Sequence, residues 1–448
     1  MDGFTFRGAR RFCSRVAIVA AGVCLLAIPL AAGAAEPSRS SGSESVLLPG
    51  PAGAAQKAAF VRGGALWVEE QGRERRLTAD GSFARNPGWS PDGRWIAYNA
   101  GEDERQLWIA EAASGNAHLA APEGGSRFQW SPAKDRLAYL RDEKLYAVGA
   151  EEGDEPAEIA AGIGNFGWLP DGSGFLVSTA AQLQPDGWTP VTIARILLPS
   201  GTADPVQEEP LYVLPKQIND LIVVGTTAFK WSASGRWIAF LATPTASLSA
   251  DGNTLCVLSS DGKTFLPVDQ MAHNEQWYRW SPVSGPQSGD RLAYIAGIGR
   301  EASSNKRLTV TSVPALRPAT YTPAGYVDQS FAWYGAESIV ASRAKEGAWT
   351  GEPGKRPMPF LARVDLTDGS GTAITKPPSG RGDFGPVALP PSELGWVRSD
   401  RTHSDVLLAN SAAEAKKAKA WIKGIDAVDD FYEQWNWLPV LRVYGQAD

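Results

Sequence analysis

One ten-residue phrase, "WSPDGRWIAY" from Trp89 to Tyr98, comes back along the chain and constrains the fold more than any other feature. It returns as "WSPAKDRLAY" at Trp130, "WLPDGSGFLV" at Trp168 and "WSASGRWIAF" at Trp231. A longer-looped copy, "WSPVSGPQSGDRLAY", starts at Trp280, and degraded copies follow as "WYGAESIVAS" at Trp333 and "ALPPSELGWV" at Ala388. The last, "WNWLPVLRVY", keeps only the front half, with Trp437 in the key place. In the first copy Pro91 fixes a φ angle, Asp92 can bond its own backbone, and Gly93 takes a positive φ at no steric cost. The flanks are β-branched and aromatic in near alternation, so each copy reads as strand, tight turn, strand. Stretches such as "QLWIAEAASGNAHLAAP" (Gln106–Pro122) supply two further strands per unit. A period of roughly fifty residues with four strand-like runs is the pattern of a β-propeller.

The two ends indicate how the ring closes. "AAFVRGGALWVEEQGRERRLT" (Ala58–Thr78) reads as the back three strands of a unit, and "EQWNWLP" (Glu433–Pro439) as a lone front strand. Joined, they make one composite blade and leave no free sheet edge. The expected fold is therefore all-β: eight four-stranded antiparallel blades over residues 58–448, or seven if the Ala388 unit is not a blade. The 17 Trp, 47 Gly and 32 Pro fit short strands and many turns. Each motif tryptophan is expected to pack one blade on the next. "NTLCVLSS" around Cys256 reads as a strand with its thiol reduced and buried.

The phrase and its copies resemble the repeats of the TolB-like propellers of bacterial extracytoplasmic proteins and of the propeller in prolyl oligopeptidases. The resemblance covers roughly residues 58–448 and implies the fold. It does not imply TolB's partner, because residues 36–57 are too short for the α/β domain that precedes the TolB propeller, and TolB has fewer blades.

Residues 1–35 read as an export signal. Arg7, Arg10, Arg11 and Arg15 precede the apolar run Val16–Ile28, and "AGA" (Ala32–Ala34) offers small residues for cleavage. The alternative is an uncleaved anchor, since Val16–Ala35 is long enough to span a bilayer. Val23 before Cys24 argues against lipid attachment, and Phe12 breaks the twin-arginine pattern. Residues 36–57, rich in Ser, Gly, Pro and Ala, read as a flexible leader. The net charge of −6 becomes more negative without residues 1–34, which carry four arginines against Asp2. An acidic chain of this kind is a poor partner for nucleic acid. Cys13 and Cys24 fall in the signal, so Cys256 has no partner for a disulfide.

Catalytic and metal motifs do not emerge. No G-x-S-x-G elbow occurs, and the propeller leaves no room for a hydrolase domain. His118, His273 and His403 fall in different repeats and in no zinc-binding frame. "DGSGT" (Asp368–Thr372) and "DAVDDFYE" (Asp426–Glu433) lack calcium-loop spacing. "RGD" at Arg381–Asp383 reads as a chance tripeptide. "SAAEAKKAKAWIKG" (Ser411–Gly424) reads as a short helix with Ser411 and Glu414 as a capping box. No cofactor and no metal are expected. Two insertions outgrow the repeat, one running from the Trp168 unit to Asp220, the other at Ser342–Phe360. Such loops usually gather on one rim and can carry binding.

The remaining signal lies just before each motif tryptophan. With a strand period of two, Phe166, Phe229, Tyr278 and Phe331, two places back, share the tryptophan's packing face. The sixteen positions one and three places back hold three basic residues, several amides, a number of small or apolar residues and no carboxylate. Among them Arg127, Lys230 and Arg279, with Gln129, Asn165, Gln434 and Asn436, form the candidate ligand site. It suits an anionic or carbohydrate-like ligand if that face opens on the channel, and inter-blade ties if it does not. The functional expectation is a non-catalytic, secreted or periplasmic binding or scaffold protein for a protein, peptide or glycan. Its rivals are a lyase or hydrolase acting in the funnel, and a membrane-tethered sensor or regulatory subunit.

Overall fold

The computed structural model describes residues 56–199, 206–283, 289–428 and 430–446. The expected export signal, and all but the last two residues of the expected leader, lie outside them. The described chain forms eight antiparallel blades. Blades 1 to 7 start on inner strands Arg85–Trp89, Ser126–Trp130, Ile163–Trp168, the pair Gly225–Thr226 and Lys230–Trp231, Tyr278–Trp280, Tyr326–Trp333 and Gly382–Leu389. The Ala388 unit is a full blade, because Gly382–Leu389, Glu393–Ser399, Ser404–Ala409 and Lys419–Ile425 pair in sequence. Among the described residues helix is confined to one turn at Ala246–Ser249 and three short 3-10 segments. Among the described residues no helix is long and apolar enough to cross a membrane.

Blade 8 closes the ring with Leu441–Val443 paired to Lys57–Arg62, followed outward by Ala65–Glu70 and Arg73–Arg76. The closing strand thus lies further along the chain than Glu433–Pro439. Trp435 and Trp437 are drawn into packing before the strand begins. Their rings stack 5.9 Å apart and meet Phe384 at 5.0 and 6.1 Å. The motif place is held by Val443 instead of Trp437.

The reason for the repeated tryptophan is a hydrogen-bond ladder around the inner ring. Trp130 Nε1 donates to Gly88 O at 2.9 Å, Trp168 to Gln129 O at 3.1 Å, Trp280 to Lys230 O at 2.8 Å and Trp333 to Arg279 O at 3.1 Å. Each acceptor is the carbonyl just before the motif position of the preceding blade. Trp89 follows the rule across the closure, donating to Arg442 O at 3.0 Å, which identifies Val443 as the motif position. Trp231 is the exception, with its Nε1 buried and unbonded. An indole covers a large apolar face while its N–H satisfies a neighbouring carbonyl that burial would otherwise leave costly.

Between blades the sheet faces form the core. The largest cluster joins blades 4, 5 and 6 through residues such as Leu255, Trp277, Tyr294 and Ile339. Phe166, Phe229, Tyr278 and Phe331 are buried as their register predicts. Cys256 is a free, fully buried thiol, and burial pushes its pKa up.

One local expectation is corrected. Ala412–Lys417 is a 3-10 segment, and Ser411 makes no side-chain cap. Glu414 is instead reached by Asn410 Nδ2 at 3.1 Å, so the capping box does not form. In the "RGD" stretch Asp383 is fully buried, held by Arg398 at 2.7 and 3.0 Å and by Trp396 Nε1 at 3.0 Å.

Because strands alternate, two kinds of connection share one rim: those from an outer strand to the next blade, and those from second to third strand. Both insertions gather there. One supplies the hairpins Leu183–Gln184/Gly187–Trp188 and Gln217–Ile218/Leu221–Ile222, and the other carries the segment around Pro353–Lys355. The opposite rim carries the motif turns.

Candidate functional site

The connection rim is divided unevenly. Residues 426–428 and 430–440, between blade 7 and the closing strand, form a strap on this rim. At one end Asp426 accepts from the amides of Gly63 and Gly64 in blade 8, at 2.7 and 2.9 Å. In its middle Tyr432 O accepts from Ala302 N of blade 5 at 3.0 Å. Gln434 donates to Arg300 O at 2.8 Å and accepts from Asn274 Nδ2 at 3.3 Å, at the passage from blade 4 to blade 5. With Glu433 bound to Arg401 and Arg356, the partners of the segment run from blade 8 over blades 7 and 6 to blade 5.

Glu433 anchors the strap. Its carboxylate is held by Arg401 at 2.6 Å and Arg356 at 3.1 Å, with the Arg356 and Glu433 side chains 5% and 3% exposed. Arg356 also lies 3.8 Å over the Trp349 ring, which packs on Phe431 and Tyr432. Asp430 accepts from the amides of Tyr432 and Trp435 at 3.1 and 2.7 Å and folds the chain back on itself. Burial pushes its pKa up.

The rim over blades 2, 3 and 4 stays open and holds a cavity of about 410 Å³. Its lining includes Arg127, Asp142, Glu143, Thr179, Thr226 and Thr243, with apolar wall from Leu140, Ile163 and Val224. Arg127 sits at a register shift between Ser126 and Gln129 and has a φ of 51°. The bulge re-aims its side chain out of the simple alternation. Asp142 and Glu143 form the two-residue turn between the second and third strands of blade 2, with φ of 50° and 56°.

The seven sequence candidates separate into three groups. Arg127 and Asn165 come together, with Nη1 3.4 Å from Oδ1 and 3.5 Å from Gly164 O. Asn165 is buried and oriented by Thr227 O at 2.6 Å and Thr226 Oγ1 at 3.2 Å. A second group ties inner strands to their neighbours. Gln129 Nε2 reaches Phe166 O at 3.2 Å, and Lys230 Nζ reaches Glu275 O at 2.6 Å and Tyr278 O at 3.2 Å. Arg279 Nη2 bonds Gln276 Oε1 at 2.8 Å, on the same short turn that Lys230 holds. None of these three lines the cavity. Gln434 and Asn436 belong to the strap rather than to an inner strand, because the closing strand starts later. Asn436 is exposed and accepts from Leu438 N at 3.1 Å.

Across the mouth stands a group the sequence did not single out. His273 precedes the inner strand of blade 5, and its Nδ1 lies 2.8 Å from Ser249 Oγ. Asn253 Nδ2 donates to Ser249 O at 2.7 Å, which leaves Asn253 Oδ1 to accept from Ser249 Oγ at 2.9 Å. The hydroxyl proton is thereby used, so His273 Nδ1 donates to Ser249 and Nε2 keeps a free lone pair. The imidazole pKa is lowered, first by desolvation; Glu275 opposes the shift and the Arg127 charge adds to it. His273 is an exposed residue whose ring nonetheless loses part of its hydration.

The lowered value has a sign that can be checked. Above the unfolded value near 6.5 both states carry a neutral ring. As pH falls from there towards the lowered value, the unfolded chain binds the proton first, so stability is lost in that window. An NMR titration of His273 is expected to give a pKa below 6.5, moving up in Arg127→Ala. An unchanged titration in that variant would place the two groups out of electrostatic reach.

The other histidines serve locally. His118 meets the Trp95 ring edge-on at 6.4 Å, and His403 lies 3.4 Å from Asp400. Among the described residues no cluster of His, Cys, Asp or Glu is arranged to hold a metal ion.

No protein-family model matches the sequence, and no curated protein sequence matches it. Solved structures do resemble the fold. The dihydro-heme d1 dehydrogenase NirN in complex with DHE aligns with TM-score 0.57 and 11% identity, over 83% of this chain and 73% of that one. Puromycin hydrolase aligns with TM-score 0.49 and 15% identity over 77% of this chain. TolB from Acinetobacter baumannii aligns with TM-score 0.36 and 15% identity over 59%. The chain spans 54% of puromycin hydrolase and 62% of TolB. At these identities the likeness concerns the propeller fold alone.

Proposed function

We propose that this propeller is a non-catalytic extracytoplasmic binding protein that holds a small polar ligand in the open part of its mouth. One observation carries the reading: a concave cavity on blades 2 to 4 is lined by the guanidinium of Arg127, which has no carboxylate partner among the described residues. Elsewhere the arginines at this rim are ion-paired, as Arg300 is with Asp251 and Arg401 with Glu433. A concave, polar-lined cavity reached by a cation that the protein itself leaves without a carboxylate is what a small-ligand site needs. Arg127 is the ligand contact and Asn165 its positioning residue. The extracytoplasmic assignment rests on the export-signal pattern in residues 1–35.

The test is a ligand screen by thermal shift on the native chain and on Arg127→Ala, with NMR of the supernatant to follow each hit. The expected result is one or more hits lost in the variant and recovered chemically unchanged. Hits that bind both proteins equally would remove the cavity from consideration.

A second reading has one observation in its favour. The Asn253–Ser249–His273 chain presents a neutral imidazole nitrogen at the mouth, as a general base requires. Turnover of a hit that disappears in His273→Ala, with binding retained, would make the protein a funnel enzyme.

A further inference from the structure

The cavity on blades 2 to 4 carries three charges that the protein leaves without ionic partners. Arg127 has only two long contacts to neutral oxygens, at 3.4 and 3.5 Å. The carboxylates of Asp142 and Glu143 have no hydrogen-bond or ion-pair partner among the described residues, and they stand on the turn above the same cavity. Their immediate neighbours are treated differently. Arg141 pairs with Glu123 at 3.0 Å and Lys144 with Glu158 at 2.9 Å. The charges flanking the turn are therefore consumed within the protein, while those lining the cavity are not.

The opposite charges line one cavity without forming an ion pair. Arg127 stems from the inner strand, displaced by its bulge, whereas Asp142 and Glu143 sit at the far end of the second strand, past Leu140, which pairs with Ser126. Nothing shorter than the 4 Å limit of an ion pair joins them. The space between is walled by neutral groups, with hydroxyls from Ser126 and Thr179.

From this arrangement we propose that the cavity binds a zwitterion of the amino-acid class, its carboxylate on Arg127 and its ammonium between Asp142 and Glu143. Arg127 offers the planar fork that matches a carboxylate, and two acceptor carboxylates match the three donors of an ammonium. The site's own charge, one cation against two anions, adds a ranking. A free amino acid with a basic side chain binds best, a neutral one less well, and an acidic one least. The volume of about 410 Å³ suits a free amino acid or a dipeptide. An anion without an ammonium leaves the two carboxylates unpaired and repelled.

The inference rests on the binding role assigned to this cavity, and the experiment separates the two. Isothermal titration of the exported chain uses L-lysine, L-leucine, L-glutamate, the dipeptide Lys-Ala, and two blocked probes, Nα-acetyl-L-lysine and L-lysinamide. L-lysine or Lys-Ala is expected to bind tightest, and each blocked probe about tenfold or more weakly than lysine, roughly the loss of one charge-assisted contact. In Arg127→Ala the preference for lysine over lysinamide disappears. In Asp142→Asn/Glu143→Gln the preference for lysine over its acetylated form disappears. All three positions are exposed, so the variants are expected to keep the wild-type melting temperature. If no probe binds at millimolar concentration, or if glutamate binds tighter than lysine through Arg127, the zwitterion is overturned while the cavity remains a ligand site. If lysine binds equally well to all variants, the binding role of this cavity falls with it.

Discussion

Replacing Glu433 by alanine is expected to cost about 3–5 kcal/mol of folding stability, the usual loss when one member of a buried charge pair is removed. The cost arises less from the broken bonds than from what stays behind. Arg356 and Arg401 would keep their positions with side chains 5% and 14% exposed and no other carboxylate within reach. The Arg401 guanidinium and Arg356 are further tied through Arg356 O at 3.2 Å, so neither swings easily to water. Glu433→Gln keeps the shape and loses the charge, and is expected to fall close behind. Chemical denaturation measures both, with limited proteolysis reporting whether residues 426–440 are the part released. The exposed pair Lys263–Asp261 on an outer turn is the control, with far less change than at Glu433. Replacing the three charges together by Met, Met and Leu should restore most of the loss, since no uncompensated charge remains. A loss under about 1 kcal/mol for Glu433→Ala would show that the strap is held by its aromatic packing alone.

The second large effect concerns the tryptophan ladder. Trp280→Ala removes an almost fully buried indole between blades 4 and 5 and is expected to cost about 3–5 kcal/mol. Trp280→Phe keeps much of the apolar area but leaves Lys230 O without its 2.8 Å donor, adding about 1–3 kcal/mol for an unsatisfied buried carbonyl. Trp231 provides the internal comparison, because its Nε1 has no partner to lose. Trp231→Phe should therefore be the milder change by at least about 1 kcal/mol. Equal losses for the two phenylalanine variants would mean that the indoles act by area only, and that the inter-blade hydrogen bonds contribute nothing measurable.

Some of this was readable in the residues and some was not. The motif copies at Trp89 and Trp168 contain a turn whose φ angles are set by Pro, Asp and Gly, and those at Trp130 and Trp231 keep part of that set. A hairpin of that kind is a local decision. Reading Ala388 as a blade also succeeded, because Leu394, Trp396 and Leu407 keep the apolar alternation after the motif has decayed. The site was only partly legible. Arg127 and Asn165 were visible from their place before the motif tryptophan. Lys230 and Gln129 stand one place before the tryptophan instead of three, on the same face by period two, and reach carbonyls of the following blade. The period-two argument could not separate them, since the inner strands of blades 1, 2, 3, 6 and 7 each contain a register shift. Asp142 and Glu143 had a signal that went unused: "LAYLRDEKLYAV" is two strands around a two-residue turn on the connection rim.

The sequence by itself determined the strands, their hairpins and the closed ring of blades. Those depend on contacts between residues close in the chain or equivalent in successive repeats, so periodicity encodes them. Which residue closes the ring, where the strap lies, and which charges meet were decided only in three dimensions. Trp437 carried the better motif, yet Val443 took the position. The indoles of Trp435 and Trp437 stack on each other and on Phe384, with both N–H groups buried and unbonded. Glu433 finds Arg356 and Arg401 from two other blades, and His273 finds Ser249 across a connection. Such meetings are fixed by the curvature of the whole ring, and no local pattern records them.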